Sequence, residues 1–126
     1  MQIDIYDATA RGPVLDSVRL FYRACRACLT PQAGVVTINL FGDHPSFVRN
    51  MRHLSEAFGR RVIALPEVHD GNRIALAFAG PALAIPFDAL NERARLIEAE
   101  LGLPTRKWVK GLAQSAGVSV TGVFSI

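Results

Sequence analysis

The chain has 126 residues, half of them hydrophobic and a fifth charged, with 14 Lys and Arg against 11 Asp and Glu. That composition suits one soluble, globular domain with a sizeable core, and no internal repeat or low-complexity tract interrupts it. The longest apolar stretch, Ile74 to Phe87, is broken by Gly80, Pro81 and Pro86 and falls short of the ~18 residues that a membrane span requires. The first residues carry acids rather than a basic region followed by an apolar one, so no secretory signal is read and a cytoplasmic location is expected.

Residues 2–6 (QIDIY) alternate as a β-strand does, and the loop ATARGP follows with Gly12 and Pro13 as turn formers. Asp16 or Ser17 can cap the next helix. That helix carries Val18, Phe21, Tyr22, Cys25, Cys28 and Leu29 at helical spacing and ends before Pro31. The run VVTINL, 35–40, is apolar apart from Thr37 and Asn39 and reads as a buried parallel strand. Asp43 or His44 near the cap and Pro45 near the first turn start a second helix, with Phe47, Met51, Leu54 and Phe58 inward and Gly59 as its stop. The segments RVIALP (61–66) and RIALAFA (73–79) flank an Asp70-Gly71 turn, which predicts an antiparallel hairpin. Phe87, Leu90, Ala94, Ile97 and Leu101 define a third helix that Gly102 and Pro104 end. A shorter helix is predicted over 105–116 with Trp108, Val109 and Leu112 inward, Trp108 as a core anchor. The residues after Gly117 fit either a strand or a loose tail.

The order β-α-β-α-β-β-α-α predicts an α/β domain spanning 1–126: a partial Rossmann-like sheet of two parallel strands plus a C-terminal antiparallel hairpin, with helices packed on the sheet. In such sheets the ligand crevice lies outside the carboxyl ends of the strands. Asp4 and Asp7 stand there, three residues apart at the end of the first strand. Two carboxylates so placed suit a cation such as an ammonium, and one can serve as base toward an amine nucleophile. The competing reading, in which Asp7 stabilises the turn and Asp4 faces outward, is equally compatible with the spacing.

Other candidate groups read as structural. Cys25 and Cys28 form C-x-x-C, but a redox pair of that kind belongs at a helix N-terminus and zinc needs two more ligands, so both thiols are expected to be inert and near the buried stripe. His44 suits a helix start or a substrate contact; with His53 and His69 it shows no metal-ligand spacing, and no metal is predicted. Arg19, Arg23 and Arg26, and Arg106, Lys107 and Lys110, lie opposite apolar stripes and read as solvated faces, so nucleic-acid binding is not expected.

The strings IDIYDA (3–8), L-D-S-x-x-x-F-Y-R-A-C-R-x-x-L (15–29), P-x-x-G-V (31–35) and N-L-F-G (39–42), followed by the helix from Pro45 to Phe58, the hairpin and GNRIALAF, together resemble the second half of a spermidine synthase-like protein. Those proteins have the class I S-adenosylmethionine-dependent methyltransferase fold and transfer an aminopropyl group from decarboxylated S-adenosylmethionine to putrescine. The resemblance implies that Asp4 is the catalytic acid/base, that Asp7 binds the amine, and that Tyr6 lines the pocket. It implies a polyamine-type amine as the small-molecule partner and decarboxylated S-adenosylmethionine as the co-substrate.

Two departures qualify what is carried over. Ala8 follows Asp7 where the family has proline, and Gly12-Pro13 arrive late, which places the sequence nearer spermidine synthase-like proteins of unassigned activity. No G-x-G occurs, whereas a nucleoside needs a glycine-rich turn. The expectation is that this chain alone binds no cofactor and is incomplete or inactive by itself, with Met1 standing at an internal strand position of the family. The alternative is a non-catalytic remnant or oligomerisation module of the same fold. In either case a first strand without its outer neighbour predicts homo-oligomers through that edge.

Overall fold

In the computed structural model, residues 1–4, 18–67, 71–117, 119 and 121–126 are described. They form two compact units, Met1–Pro81 and Ala82–Ile126. Mixed α/β architecture prevails, with four helices and a four-stranded mixed sheet among the described residues.

In the first unit, strands β1 (Gln2–Ile3), β2 (Gly34–Phe41), β3 (Val62–Ala64) and β4 (Asn72–Ala79) lie in the order β1-β2-β4-β3. β1 pairs parallel with β2, Ile3 opposite Ile38. β4 runs antiparallel to both β2 and β3, so β1, β2 and β3 share one direction. The hairpin expected from Asp70-Gly71 is present as β3 and β4, but its second strand inserts beside β2. Length explains the order. β4 matches β2 along eight residues, whereas β3 has only three, so the long partner occupies the centre, where it pairs with a strand on each side.

Alternation then decides the faces. Val36, Ile38 and Leu40 of β2 and Ala75, Ala77 and Ala79 of β4 are buried on one face, under helices α1 (Val18–Ala27) and α2 (Ser46–Phe58). The small alanines let α2 approach β4 closely, and Leu54 and Phe58 fill the remaining volume. Within this core Tyr22 of α1 and Asn50 of α2 are both fully buried, and the phenol donates to Asn50 Oδ1 at 2.9 Å. Asn50 Nδ2 in turn donates to the Ser46 carbonyl at 3.0 Å, so the polar pair is satisfied internally.

Helix boundaries follow local chemistry. α2 ends at Gly59, as the sequence predicts. At its start the ring of His44 takes the capping role, Nδ1 accepting from the Ser46 amide at 3.1 Å and lying 2.8 Å from Ser46 Oγ. Cys25 is buried, but Cys28 lies one residue past the end of α1 and is exposed, which corrects the expectation that both thiols sit near the buried stripe. After β4 the chain turns at Gly80, whose φ of 103° no L side chain adopts readily. A β-carbon there would meet the Gln32 carbonyl oxygen at 2.7 Å.

The second unit holds β5 (Ala84–Pro86), α3 (Phe87–Leu101), α4 (Thr105–Ala116) and β6 (Val123–Ser125). β6 pairs antiparallel with β5, Phe124 opposite Ile85, so the C-terminal residues form a strand rather than a loose tail. Phe87 and Phe124 pack edge to face, their centroids 6.3 Å apart. α4 docks on α3 through small residues: Thr105 Oγ1 donates to the Ala94 carbonyl at 2.6 Å, and Ala113 is buried. That contact turns Trp108 outward, 45% exposed, which corrects its assignment as a core anchor. Leu101, at the last turn of α3, is likewise exposed rather than inward. Among the described residues no helix is long and apolar enough to cross a membrane.

Candidate functional site

Because β1, β2 and β3 run the same way, their carboxyl ends share one edge of the sheet, the place where open α/β sheets receive ligands. Asp4 follows β1 there. Ile3 points into the core beside Ile38, so alternation turns Asp4 to the opposite face, where it is exposed. Asn39, flanked by buried Ile38 and Leu40, turns to the same face by the same rule. The two side chains meet: Asn39 Nδ2 donates to Asp4 Oδ1 at 3.3 Å.

The orientation of that amide is chemically required. A carboxylate only accepts hydrogen bonds, so Asn39 must present its N–H group to Asp4 and aim its carbonyl elsewhere. Oδ1 of Asn39 is buried and has no hydrogen-bond partner among the described residues. A buried acceptor without a donor costs about 1–3 kcal/mol. The pair thus presents an exposed carboxylate fixed by a neighbouring amide, and its remaining lone pairs suit an ammonium donor.

Asp7 and Tyr6, the other predicted site residues, lie outside the described residues, as does His69. His44 stands at the carboxyl end of β2, but its ring nitrogen is engaged at the start of α2. Arg73 is held away from the pair, its guanidinium 4.7 Å over the Phe47 ring and its Nε donating to the Leu65 carbonyl at 3.2 Å. Glu67 accepts from the Gly71 amide at 2.9 Å and so braces the β3–β4 connection. Sequence reasoning missed Asn39, although a signal was present: in VVTINL the polar residues Thr37 and Asn39 are two apart, which places both on one face of a strand.

A groove in the second unit is lined by Asp88, Asn91, Glu92, Arg95 and Arg106 among others. Its charges compensate one another. Arg95 pairs with Glu92 at 2.8 Å, Arg106 pairs with Glu98, and Asp88 accepts from the Ala89 amide at 2.7 Å. The Arg95 guanidinium holds the Glu92 carboxyl below its usual titration range. With its charges matched in this way, the groove makes a weaker candidate than the sheet edge. Among the described residues no three His, Cys, Asp or Glu side chains cluster to hold a metal.

No protein-family model matches the chain, and no solved structure matches it. The chain is similar to the polyamine aminopropyltransferase of Chromobacterium violaceum, with 30% identity over 95 residues, a stretch that covers 75% of this chain and 36% of that protein. The chain therefore spans about a third of the length of the curated relative it matches.

Proposed function

We propose that this chain corresponds to the C-terminal half of a spermidine synthase-like aminopropyltransferase with the class I methyltransferase fold, and that Asp4 is its acid/base toward an amine nucleophile. The observation that carries the reading is the Asp4–Asn39 contact at the carboxyl end of adjacent parallel strands. The parallel run of β1, β2 and β3 with one reversed strand supports the fold assignment, and the similarity to the polyamine aminopropyltransferase supports the chemistry.

In this reading the amine docks as an ammonium against the exposed Asp4 carboxylate. Asp4 accepts one proton from it, freeing the nitrogen lone pair for attack. Asn39 holds the Asp4 carboxylate in place through its Nδ2. Asp7 and Tyr6 complete the amine site as the family resemblance implies. Decarboxylated S-adenosylmethionine supplies the electrophilic aminopropyl group. The chain has no G-x-G to grip a nucleoside, so the wall that holds that co-substrate comes from residues beyond these 126. The same absence favours a second reading, a non-catalytic module that retains the fold.

Calorimetry on the full chain separates the two. Saturable binding of a putrescine-type diamine that Asp4→Asn and Asn39→Leu both abolish supports the enzyme reading. Saturable methylthioadenosine binding would strengthen it and refute the expectation that the chain alone binds no nucleoside. A folded chain that takes up neither compound at millimolar concentration refutes the amine site and leaves the module.

A further inference from the structure

The two thiols of the C-x-x-C segment occupy different environments. Cys25 is buried against the sheet with Val18 and Tyr22, and Cys28 is exposed one residue beyond the end of α1. Burial, and then the neighbouring Cys28, push the Cys25 thiol above its ordinary titration range. The backbone between them is still helical, because the Cys28 amide donates to the Ala24 carbonyl at 3.0 Å. Three residues of helix rise about 4.5 Å and turn through a chord of about 2.3 Å, which sets the α-carbons about 5 Å apart. That separation lies inside the ~4.4–6.8 Å range of disulfides, although helical β-carbons at about 5–6 Å must still close to about 3.5–4.5 Å. The adjustment falls at a helix end, where only the Cys28 amide bond and the bond from the Leu29 amide to the Arg26 carbonyl, at 3.3 Å, must yield.

We propose that Cys25 and Cys28 form a reversible dithiol–disulfide site, oxidised by a low-molecular-weight disulfide of the glutathione class. The exposed Cys28 thiolate attacks one sulfur of the small disulfide, the S–S bond breaks and one thiolate leaves. Cys25 then gives its proton to solvent, and its sulfur attacks Cys28 Sγ, expelling the second small thiol. Two protein thiols are oxidised and one small disulfide is reduced to two thiols. A disulfide closed against helical geometry is strained, and strain makes it readily reducible. Closure also pulls on Leu29, whose side chain packs directly over Gly34 at the start of β2, so the redox state reaches the central strand of the sheet.

The test equilibrates the full chain in buffers of graded glutathione to glutathione-disulfide ratio, traps free thiols, and reads intact mass and amide exchange. The expected product is a single covalent chain lighter by two hydrogens, without bound glutathione, in which the Cys28 and Leu29 amides lose protection. Cys25→Ser is expected to retain one glutathione on Cys28, and Cys28→Ser, an exposed and benign change, to remain unoxidised under the same conditions. A stable mixed disulfide on wild-type Cys28, a disulfide-linked dimer, an unchanged chain, or equally fast oxidation of Cys28→Ser would each overturn the proposal. Should Cys25→Ser fail to fold, the wild-type mass and Cys28→Ser still decide it.

Discussion

Tyr22→Phe isolates the polar contact inside the first unit's core. The ring stays, so the volume that Tyr22 fills beneath the sheet is conserved and no cavity opens. What is lost is one hydrogen bond of 2.9 Å to Asn50 Oδ1, between two residues that are 0% exposed. Asn50 keeps its donation to the Ser46 carbonyl, so the change strands a single buried acceptor, at a cost of about 1–3 kcal/mol. For a chain of this length each kilocalorie lowers the unfolding midpoint by roughly 3–6 °C. Asn50→Leu strands the phenol instead and also removes the bond to Ser46, so its cost should be at least as large. The double variant removes both partners, leaves only the Ser46 carbonyl to find water, and should cost less than the sum of the two by about 1 kcal/mol or more. Urea denaturation of the four proteins measures this cycle. Single costs that add to within about 0.5 kcal/mol would show that α1 and α2 are not coupled through this pair, and the reasoning would fail.

Further outcomes follow from the same geometry. Gly80→Ala forces an L residue into φ 103° and drives its β-carbon to 2.7 Å from the Gln32 carbonyl oxygen, so a loss of about 2 kcal/mol or more in urea stability is expected, and a silent substitution would refute the backbone assigned to this turn. Burial raises the titration of both the Tyr22 phenol and the Cys25 thiol; a group raised in the folded state contributes its stability in full below its unfolded value and loses it as pH rises, so the urea midpoint should fall from about pH 9 upward, less steeply in Tyr22→Phe. A midpoint that is flat between about pH 8 and pH 11 would contradict this. Among the described residues β1 forms one edge of the sheet, beside β2, so light scattering should find dimers or larger species, and a monodisperse monomer would count against association through that edge.

Elements governed by local rules were legible in the sequence. α4 spans Thr105–Ala116 and α3 ends at Leu101 before Gly102, because helical periodicity and glycine or proline stops are written within a few residues of where they act. Tertiary choices were not. Nothing near Asn72–Ala79 says that this strand, rather than Val62–Ala64, lies beside β2, since the decision rests on comparing the lengths of three separate segments. β5 was hidden because Pro81 and Pro86 flank a run of only a few apolar residues, and only its pairing with Val123–Ser125 makes it a strand. Trp108 misled for a related reason. Its hydrophobicity argues for burial, but α4 meets α3 through Thr105 and Ala113, and an interface of small residues brings two helices too close to seat an indole between them.

At the sheet edge the same division of information explains why one half of the candidate pair was visible and the other was not. Asp4 is conspicuous because a carboxylate stands out at the end of an apolar strand. Asn39 looks like an interruption of VVTINL until the parallel register places Ile3 opposite Ile38, which carries Asp4 and Asn39, the next residue of each strand, to the same side. Shifting β1 by one residue against β2 would set Asp4 beside a buried aliphatic position and leave Asn39 facing isoleucine. The apolar residues that hold the register therefore also align the polar pair. That coupling makes Ile3, although it touches no ligand in the proposed mechanism, as necessary to the site as the carboxylate that follows it.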